Sequence, residues 1–363
     1  MSAAPLIETL RQRIKSNGPI TMAEYMAVCN AAYYGRGDVF GIGGDFITAP
    51  EISQAFGELI GLWCAVTWAA MGSPYPFRLV ECGPGRGTLM KDLLRATERV
   101  PGFHAAANIH LIEMSPALRA IQAHALEGHD ATWHDSFSAV PAGPLIVIAN
   151  EFLDALPVRQ FERTDDGWAE RLVGLDEGGN LALVTRTGRA APVPIPLAAT
   201  AEAGAVFEAS DAVTDWVRVA TERIVKHGGA ALIADYGHKA SALGDTIQSV
   251  RRHAFHPVLQ SPGEADLTAH VDFGAIARAA SVATGRVFGP VEQGPWLRRL
   301  GITVRQAQLS AGKPEAVARD IGAGIRRLIE PDGMGLLFKV LAVAHPSLAS
   351  LEGFAQDAAH DHS

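Results

Sequence analysis

The chain has 363 residues, 48% of them hydrophobic and 19% charged, with a formal net charge of −8. This composition is typical of a soluble globular protein, and the length predicts one large domain with insertions or two domains. The acidic balance argues against nucleic acid as the main partner, because binding phosphates needs a basic face, and it suits a basic segment of another protein.

Cysteine usage and hydrophobic runs predict an intracellular protein without a membrane span. Cys29, Cys64 and Cys82 share no metal-like spacing and are typical of reduced thiols. The first ten residues resemble neither a secretion signal nor an Arg/Ser-rich transit segment. The longest apolar stretch, 59–71, is too short to cross a bilayer.

The N-terminal region is predicted to be helical. Apolar spacing predicts a first short helix that ends near Asn17, and Thr21 with Glu24 forms a capping box for a second helix. After a glycine-rich loop, Thr48 and Glu51 form a second capping box for a helix that should continue to about residue 70. Capping alone would explain these last two residues.

A strand, a glycine-rich turn and a helix follow one another over 79–94. The pattern is acid-x-Gly-x-Gly-x-Gly, with Glu81, Gly83, Gly85 and Gly87. Thr88 stands where the dinucleotide fingerprint would place its last glycine. Such a turn brings backbone N–H groups and a helix N-terminus against a ligand. The pattern is typical of class I methyltransferases that use S-adenosylmethionine, although glycines also form plain turns.

The rest of the chain alternates strands and helices, which predicts an α/β fold with a parallel sheet covered on both faces. The predicted strands are 78–81, 108–112, 131–134, 145–149, 230–234, 286–292 and 336–344. A β-ribbon is inserted at about 158–200 and a helical segment at about 295–330.

Acidic residues recur at the predicted carboxyl ends of the strands, where open parallel sheets bind their ligands. They are Glu81, Glu113, Asp135, Glu151 and Asp235. Glu113 is placed to accept the ribose hydroxyls of a nucleoside, and the alternative is a helix-start charge beside Ser115. Asp135 with Ser136 is placed to bind an adenine amine, and the alternative is a turn-forming role.

Asn150, Glu151 and Asp154 follow the fourth predicted strand and should face the reactive end of a bound cofactor. If the nucleophile is a guanidinium, Glu151 and Asp154 could grip it and concentrate electron density on the attacking nitrogen. The alternative is a capping pair at a helix start. His253, His256 and His270 lie on one long loop, but no neighbouring pattern supports a zinc site, so we expect no metal.

Several long stretches of the chain resemble the MidA-like methyltransferases. They are GGDFITAPEISQAFGELIGLW, ECGPGRGTLMKDLLR, LIEMSPALR, IANEFLDALPVRQF, ALIADYGH, GEADLTAHVDF and PDGMGLLFKVL. The resemblance implies a class I methyltransferase fold, with a seven-stranded Rossmann-like sheet that binds S-adenosylmethionine. It further implies symmetric dimethylation of an arginine on a respiratory complex I subunit.

The resemblance also suggests which residues form the site. We expect Met114, Ser136 and Asn150 to bind the cofactor together with the glycine loop, Glu113 and Asp135. Glu151 and Asp154 lie in the family's NEFxDALP motif, and their catalytic role is our own hypothesis from their position. The substrate-binding residues would be Asp45, Thr48, Glu51, Asp235 and His238.

The domain expectation is an N-terminal helical region at 1–72 that covers cofactor and substrate, followed by the methyltransferase core at 73–363. The missing transit segment suits a bacterial cytoplasmic protein, whereas eukaryotic relatives would act in the mitochondrial matrix. Two alternatives stay open. One is a methyltransferase for another protein or a small molecule, and the other is a non-catalytic assembly chaperone on the same fold.

Overall fold

The computed structural model describes residues 6–35, 48–188, 190–251 and 254–354. The predicted site residue Asp45 and the loop histidine His253 lie outside the described residues.

The N-terminal helices form much as the apolar spacing predicts. The elements are α1 (Leu6–Asn17), β1 (Ile20–Thr21), α2 (Met22–Tyr34), α3 (Ala49–Ile52) and α4 (Gln54–Ala70). The first capping box is confirmed, since the Thr21 hydroxyl accepts the Glu24 N–H at 3.1 Å and the Glu24 carboxylate accepts the Thr21 N–H at 2.8 Å.

The second predicted capping box is wrong. Thr48 precedes α3 but makes no side-chain cap, because the Glu51 carboxylate accepts the hydroxyl of Thr88 on another helix instead. The predicted long helix is also interrupted. Ser53 is extended, with φ −157° and ψ 129°, and its side chain caps the separate helix α4. Glu51 is therefore tied to the helix that follows the glycine loop.

The first half of the core alternates strands and helices. Its elements are β2 (Phe77–Cys82), α5 (Thr88–Thr97), α6 (Phe103–Ala106), β3 (Ala107–Ile112), α7 (Pro116–Ala125), β4 (Ala131–His134), a 3₁₀ turn (Phe137–Ala139) and β5 (Leu145–Asn150). The inserted region contains β6 (Arg159–Thr164), β7 (Gly167–Leu175), β8 (Leu181–Arg186), α8 (Ile195–Thr200) and β9 (Val206–Ala209).

The second half completes the sheet and adds a small β-structure. Its elements are α9 (Asp211–His227), β10 (Gly229–His238), β11 (Gln248–Arg251), β12 (Ala254–His256), β13 (Asp266–Thr268), β14 (Val271–Asp272) and α10 (Phe273–Val282). They continue with β15 (Arg286–Glu292), α11 (Gln293–Arg299), α12 (Ile302–Ser310), α13 (Glu315–Ile329), α14 (Met334–Leu337) and β16 (Phe338–Ala344).

The central sheet has the order β15-β16-β10-β5-β2-β3-β4, and β14 adds to the end of β10. Strands β4, β3, β2, β5 and β10 run parallel, whereas β16 is antiparallel to both of its neighbours. The chain moves outward from β2 to β4 and then returns to β5 on the other side of β2. The topological switch point thus lies between β2 and β5, where open sheets bind ligands beyond the strand ends.

The fifth predicted strand is longer than expected. β10 continues past Ala234 to His238 because Tyr236 pairs with Phe338 on β16 and Gly237 pairs with Val271 on β14. Asp235 therefore lies within the strand and not after its end, which corrects the placement made from the sequence.

The inserted β-ribbon is part of a larger sheet. Its order is β1-β7-β6-β9, and β8 also pairs with β7. Ile20 in β1 lies opposite Val173 in β7. A third sheet, β12-β11-β13, forms within the long loop after β10. The N-terminal region is thus hydrogen-bonded to the insertion and covers the same side of the core.

Apolar side chains cover both faces of the central sheet. One cluster includes Phe56, Trp63 and Trp296, and the other includes Val147 and Phe273, all fully buried. Within the described ranges, no helix is both long and apolar enough to cross a membrane.

Candidate active site

The glycine loop joins β2 to α5 at the switch point. Gly83 and Gly87 have φ of +62° and +81°, in the left-handed region that side chains avoid. A Cβ on Gly83 would lie 3.0 Å from the Phe152 ring, and one on Gly87 would lie 3.4 Å from the Gln122 Cα. The loop is therefore packed closely between two neighbouring elements, and its backbone is bare where a ligand can approach.

Glu81 lies under this loop at the end of β2. Glu81 is only 3% exposed, and this burial raises the pKa of its carboxyl to about 8. A backbone hydrogen bond from Met90 opposes the shift. Its Oε2 atom has no hydrogen-bond partner within the described part of the chain. The group thus holds a proton near neutral pH and can donate as well as accept.

Glu113 follows β3 with both carboxylate oxygens partly engaged. Oε1 accepts the Ser115 N–H at 2.8 Å, and Oε2 accepts the Gln122 side-chain amide at 3.2 Å. Burial raises the pKa of this carboxyl. The helix-start role considered from the sequence is therefore present, but each oxygen keeps a second lone pair for a ligand hydroxyl.

Asp135, after β4, is paired with an arginine that the sequence analysis did not single out. Arg119 donates to the Asp135 carboxylate at 2.6 Å and to the backbone carbonyl of Glu113 at 2.7 Å. The side chain of Asp135 is 84% exposed, and Met114, the residue after Glu113, is 71% exposed. The Ser136 hydroxyl lies 3.0 Å from that of Ser138. Arg119 thus fixes the ends of two strands where the adenine is predicted to lie.

Glu151 begins the loop after β5 in a strained conformation. Its φ is +46°, which is uncommon for a residue with a side chain. The carboxylate accepts the Ala49 N–H at 2.8 Å and the Asn150 amide at 3.2 Å. Burial is the main reason that its pKa rises to about 7, and the charge of Asp154 adds to the shift.

Asp154 lies one turn further along the loop and is 7% exposed. Burial raises the pKa of its carboxyl to about 6, against a hydrogen bond from Tyr236 that lowers it. Its Oδ1 atom and the Oδ1 atom of the neighbouring Asn150 are buried and have no partner among the described residues. Two acceptors thus stand ready for donors that a ligand would bring.

Asp235, in β10, holds the backbone of the loop that carries Asp154. It is fully buried, and its Oδ2 atom accepts the N–H groups of Leu153 at 3.0 Å and of Asp154 at 3.2 Å. Burial, with the charges of Asp154 and Glu151, raises its pKa well above the usual range. The structure shows a role in holding the loop, and direct contact with substrate stays a prediction for this residue.

Asn30 of α2 is a further support that sequence reasoning missed. Its amide donates to the carbonyls of Ala155 at 3.0 Å and Leu267 at 2.8 Å, and its Oδ1 accepts the Leu267 N–H at 3.0 Å. A lone asparagine inside a helix carries no pattern that would predict these contacts. The N-terminal region is thus fixed directly to the loop that carries Asp154.

His238 and His270 form a ring cluster with Tyr236, the residue whose side chain is hydrogen-bonded to Asp154. The rings of His238 and His270 are 5.9 Å apart, and Tyr236 meets His270 edge-on at 5.4 Å. Burial lowers the pKa of both histidines. Among the described residues, no group of three or more His, Cys, Asp or Glu side chains is arranged to hold a metal ion. Substrate binding by His238 stays a prediction.

The glycine loop, Glu113 and the exposed Met114 follow the ends of β2 and β3, where we predict a cradle for the nucleoside of the cofactor. The acids after β5 form a carboxylate cluster on the other side of the switch point. A cation held by this cluster would stand next to the reactive end of a ligand in the cradle.

Comparisons with known proteins agree with this chemistry. A family model for S-adenosyl-L-methionine-dependent methyltransferases matches residues 59–291. The human mitochondrial protein arginine methyltransferase NDUFAF7 is 37% identical over 93% of this chain and 84% of its own length. Its Drosophila melanogaster homologue is 39% identical over 95% of this chain and 86% of its own length.

Solved structures give the same result. A Burkholderia thailandensis protein crystallised with S-adenosylhomocysteine is 28% identical, with a TM-score of 0.81 over 96% of this chain and 93% of that chain. The predicted fold class and cofactor are thereby confirmed. The chain belongs to this family of S-adenosylmethionine-dependent methyltransferases.

Proposed function

We propose that this enzyme methylates the guanidinium of an arginine on a respiratory complex I subunit, giving symmetric dimethylarginine during assembly. The observation that carries the proposal is the pair Glu151 and Asp154, held on one loop beside the cofactor cradle with a buried acceptor unfilled. Relatives of similar length that are named protein arginine methyltransferases support the same substrate class. The complex I substrate follows from the resemblance to the MidA-like family.

The carboxylates suit a guanidinium because it is planar, always charged and rich in donors. Arginine N–H groups would fill the Oδ1 acceptor of Asp154 and the remaining lone pairs of Glu151. Its positive charge would also relieve the repulsion that raises the pKa of Glu151. Binding therefore favours the ionised form of both acids when the substrate is present.

The cofactor supplies a methyl group on a positively charged sulfur. The two carboxylates orient one guanidinium nitrogen in line with that methyl and draw positive charge away from it. The attacking nitrogen would lose one proton as it took the methyl group from the sulfur, and one carboxylate would accept that proton. Glu151 is placed for this role because its carboxylate keeps lone pairs beyond the hydrogen bonds from Ala49 and Asn150.

Partner and location follow as part of the same proposal. The net charge of −8 favours a basic segment around the target arginine. We propose that the protein acts in the bacterial cytoplasm, and that its relatives named mitochondrial act in the mitochondrial matrix.

The test is to incubate the purified protein with S-adenosylmethionine and isolated complex I subunits and to map methylated residues by mass spectrometry. The proposal predicts symmetric dimethylarginine at one site, and none with the Glu151→Gln variant. Methylation confined to other residues or to small molecules would overturn the arginine assignment. Cofactor binding without any transfer would favour the assembly-chaperone alternative.

A further inference from the structure

Gln122 is a buried polar side chain at the centre of the predicted cofactor cradle. It lies on α7 and is fully buried. Its amide nitrogen donates to the Gly85 carbonyl at 2.8 Å and to Glu113 Oε2 at 3.2 Å. Its amide oxygen accepts the Trp133 indole N–H at 2.8 Å. The glycine loop, Glu113 and β4 are thus joined through one side chain.

The orientation of this amide is fixed by its partners. An indole N–H can only donate, so the Gln122 oxygen must face Trp133. Both amide hydrogens are then directed at acceptors, the Gly85 carbonyl and the Glu113 carboxylate. A flipped amide would lose these three contacts at once. Because every polar atom of the group is satisfied, the arrangement is rigid.

The backbone of Gln122 also contacts the glycine loop. A Cβ on Gly87 would lie 3.4 Å from the Gln122 Cα and 3.5 Å from the Ala125 Cβ. A Cβ at residue 87 would therefore be in ordinary van der Waals contact with α7, which lies against the loop where the Gln122 amide reaches Gly85. The glycine and the glutamine form one packing unit.

We propose that Gln122 is a positioning residue that orients the Glu113 carboxylate for the two ribose hydroxyls and holds the glycine loop at the matching distance. The inference rests on the ribose-binding role predicted for Glu113. Oε1 is fixed by the Ser115 N–H and Oε2 by Gln122, so the free lone pair on each oxygen points in a set direction. A pair of adjacent hydroxyls needs such a fixed pair of acceptors.

Gln122 acts through Glu113, so the test compares how each variant responds to loss of a ribose hydroxyl. Calorimetry would measure binding of S-adenosylhomocysteine and its 2′-deoxy and 3′-deoxy analogues. We expect the wild type to lose about 10-fold or more for each missing hydroxyl. In Gln122→Met, S-adenosylhomocysteine should bind about 10-fold more weakly, and the penalty for each deoxy analogue should shrink by about 3-fold or more.

Two further variants separate positioning from general loosening. Leu118→Ala removes a buried side chain from the same helix, without the amide contacts, and should keep the wild-type deoxy penalties. Gln122→Leu removes the same three contacts with another apolar side chain, and it serves as the test if Gln122→Met does not fold.

The proposal is overturned if the folded Gln122→Met or Gln122→Leu variant keeps the wild-type penalties, since the residue would then act only by packing. It is also overturned if the wild type shows no penalty, because Glu113 would then not hold the ribose. These measurements follow cofactor binding and not methyl transfer. Failure of the arginine-methylation proposal would therefore leave their result unchanged.

Discussion

The carboxylate of Glu151 accepts the backbone N–H of Ala49 at 2.8 Å, although 102 residues separate the two in sequence. Ala49 begins the short helix α3. Glu51, in the same helix, is hydrogen-bonded to Thr88 at the start of α5. Through α3, the N-terminal region thus contacts both α5, the helix after the glycine loop, and the carboxylate cluster. It therefore joins the predicted cofactor site to the predicted substrate site.

The pH dependence of methyl transfer should follow the carboxylate cluster. Glu151 and Asp154 have pKa values raised to about 7 and about 6, and their protonated forms cannot pair with a guanidinium. We therefore expect kcat/KM to rise with pH through this interval and to level off above about pH 8. The bound cation lowers both pKa values, so the rise in kcat should occur at lower pH than the rise in kcat/KM. A flat kcat/KM profile from about pH 5.5 to 8 would contradict this account.

Gly87→Ala should weaken cofactor binding, whereas Gly301→Ala should not, although both should lose similar stability. Gly87 and Gly301 both precede helices with left-handed φ values of +81° and +90°. A Cβ on Gly301 meets nothing within 4 Å, whereas one on Gly87 would contact α7 at Gln122 and Ala125, at 3.4 Å and 3.5 Å. Both alanine variants should lose about 1 kcal/mol of stability from backbone strain.

Only Gly87→Ala should lower the affinity for S-adenosylhomocysteine, by about 10-fold or more in calorimetry. Gly85→Val should go further and abolish measurable binding, because its side chain would block approach of the ligand to the loop. Equal affinities for the two alanine variants would show that the loop does not hold the cofactor.

Glu81→Gln should stabilise the free protein at alkaline pH. The pKa of Glu81 is about 8 when folded against an ordinary 4.5, so the folded state binds more protons between these values. Its contribution to stability is therefore full below about pH 4.5 and is lost as pH rises through about 8. Chemical denaturation at pH 8.5 should show the variant more stable by about 2–4 kcal/mol, with the difference vanishing near pH 4.5.

The exposed Glu177→Gln is the control for loss of one negative charge. It should leave the pH dependence of unfolding as in the wild type. A Glu81→Gln variant that follows the same curve as this control would mean that Glu81 is not protonated in the folded protein.

Asn30→Ala should reduce turnover without reducing cofactor affinity. The side chain makes one hydrogen bond to Ala155 in the loop of Asp154 and two to Leu267 in β13, and none of them involves the glycine loop. We expect kcat to fall about 10- to 100-fold with the dissociation constant of S-adenosylhomocysteine unchanged. Met26→Ala, a buried change in the same helix, controls for loss of stability and should keep kcat. Similar kcat values for the two variants would exclude positioning of the loop by Asn30.

Much of the fold could be predicted from the sequence because its signals are local. The predicted 131–134 and 286–292 strands have the observed bounds of β4 and β15. The Gly83 and Gly87 conformations also follow from the acid-glycine pattern, since only glycine adopts them without strain. The resemblance to a known family then added the class I methyltransferase fold with a seven-stranded Rossmann-like sheet.

The remaining features depend on contacts between distant segments. The extension of β10 past Ala234 comes from its pairing with β14 and β16, and Asp235 consequently lies within the strand. Glu51 looks like part of a capping box until Thr88 is brought beside it by the fold. Gln122 and Asn30 carry no local signal, because a polar residue inside a helix gains its meaning only from its neighbours.

The central claim is that Glu151 and Asp154 hold the guanidinium, so that they contribute to methyl transfer and not to cofactor binding. The most direct measurement is methyl transfer to an arginine substrate by Glu151→Gln and Asp154→Asn, with S-adenosylhomocysteine affinity measured on the same samples. Our account predicts that each variant binds the cofactor within about 3-fold of the wild type and transfers methyl at least about 100-fold more slowly. Variants that keep both binding and wild-type transfer would contradict it.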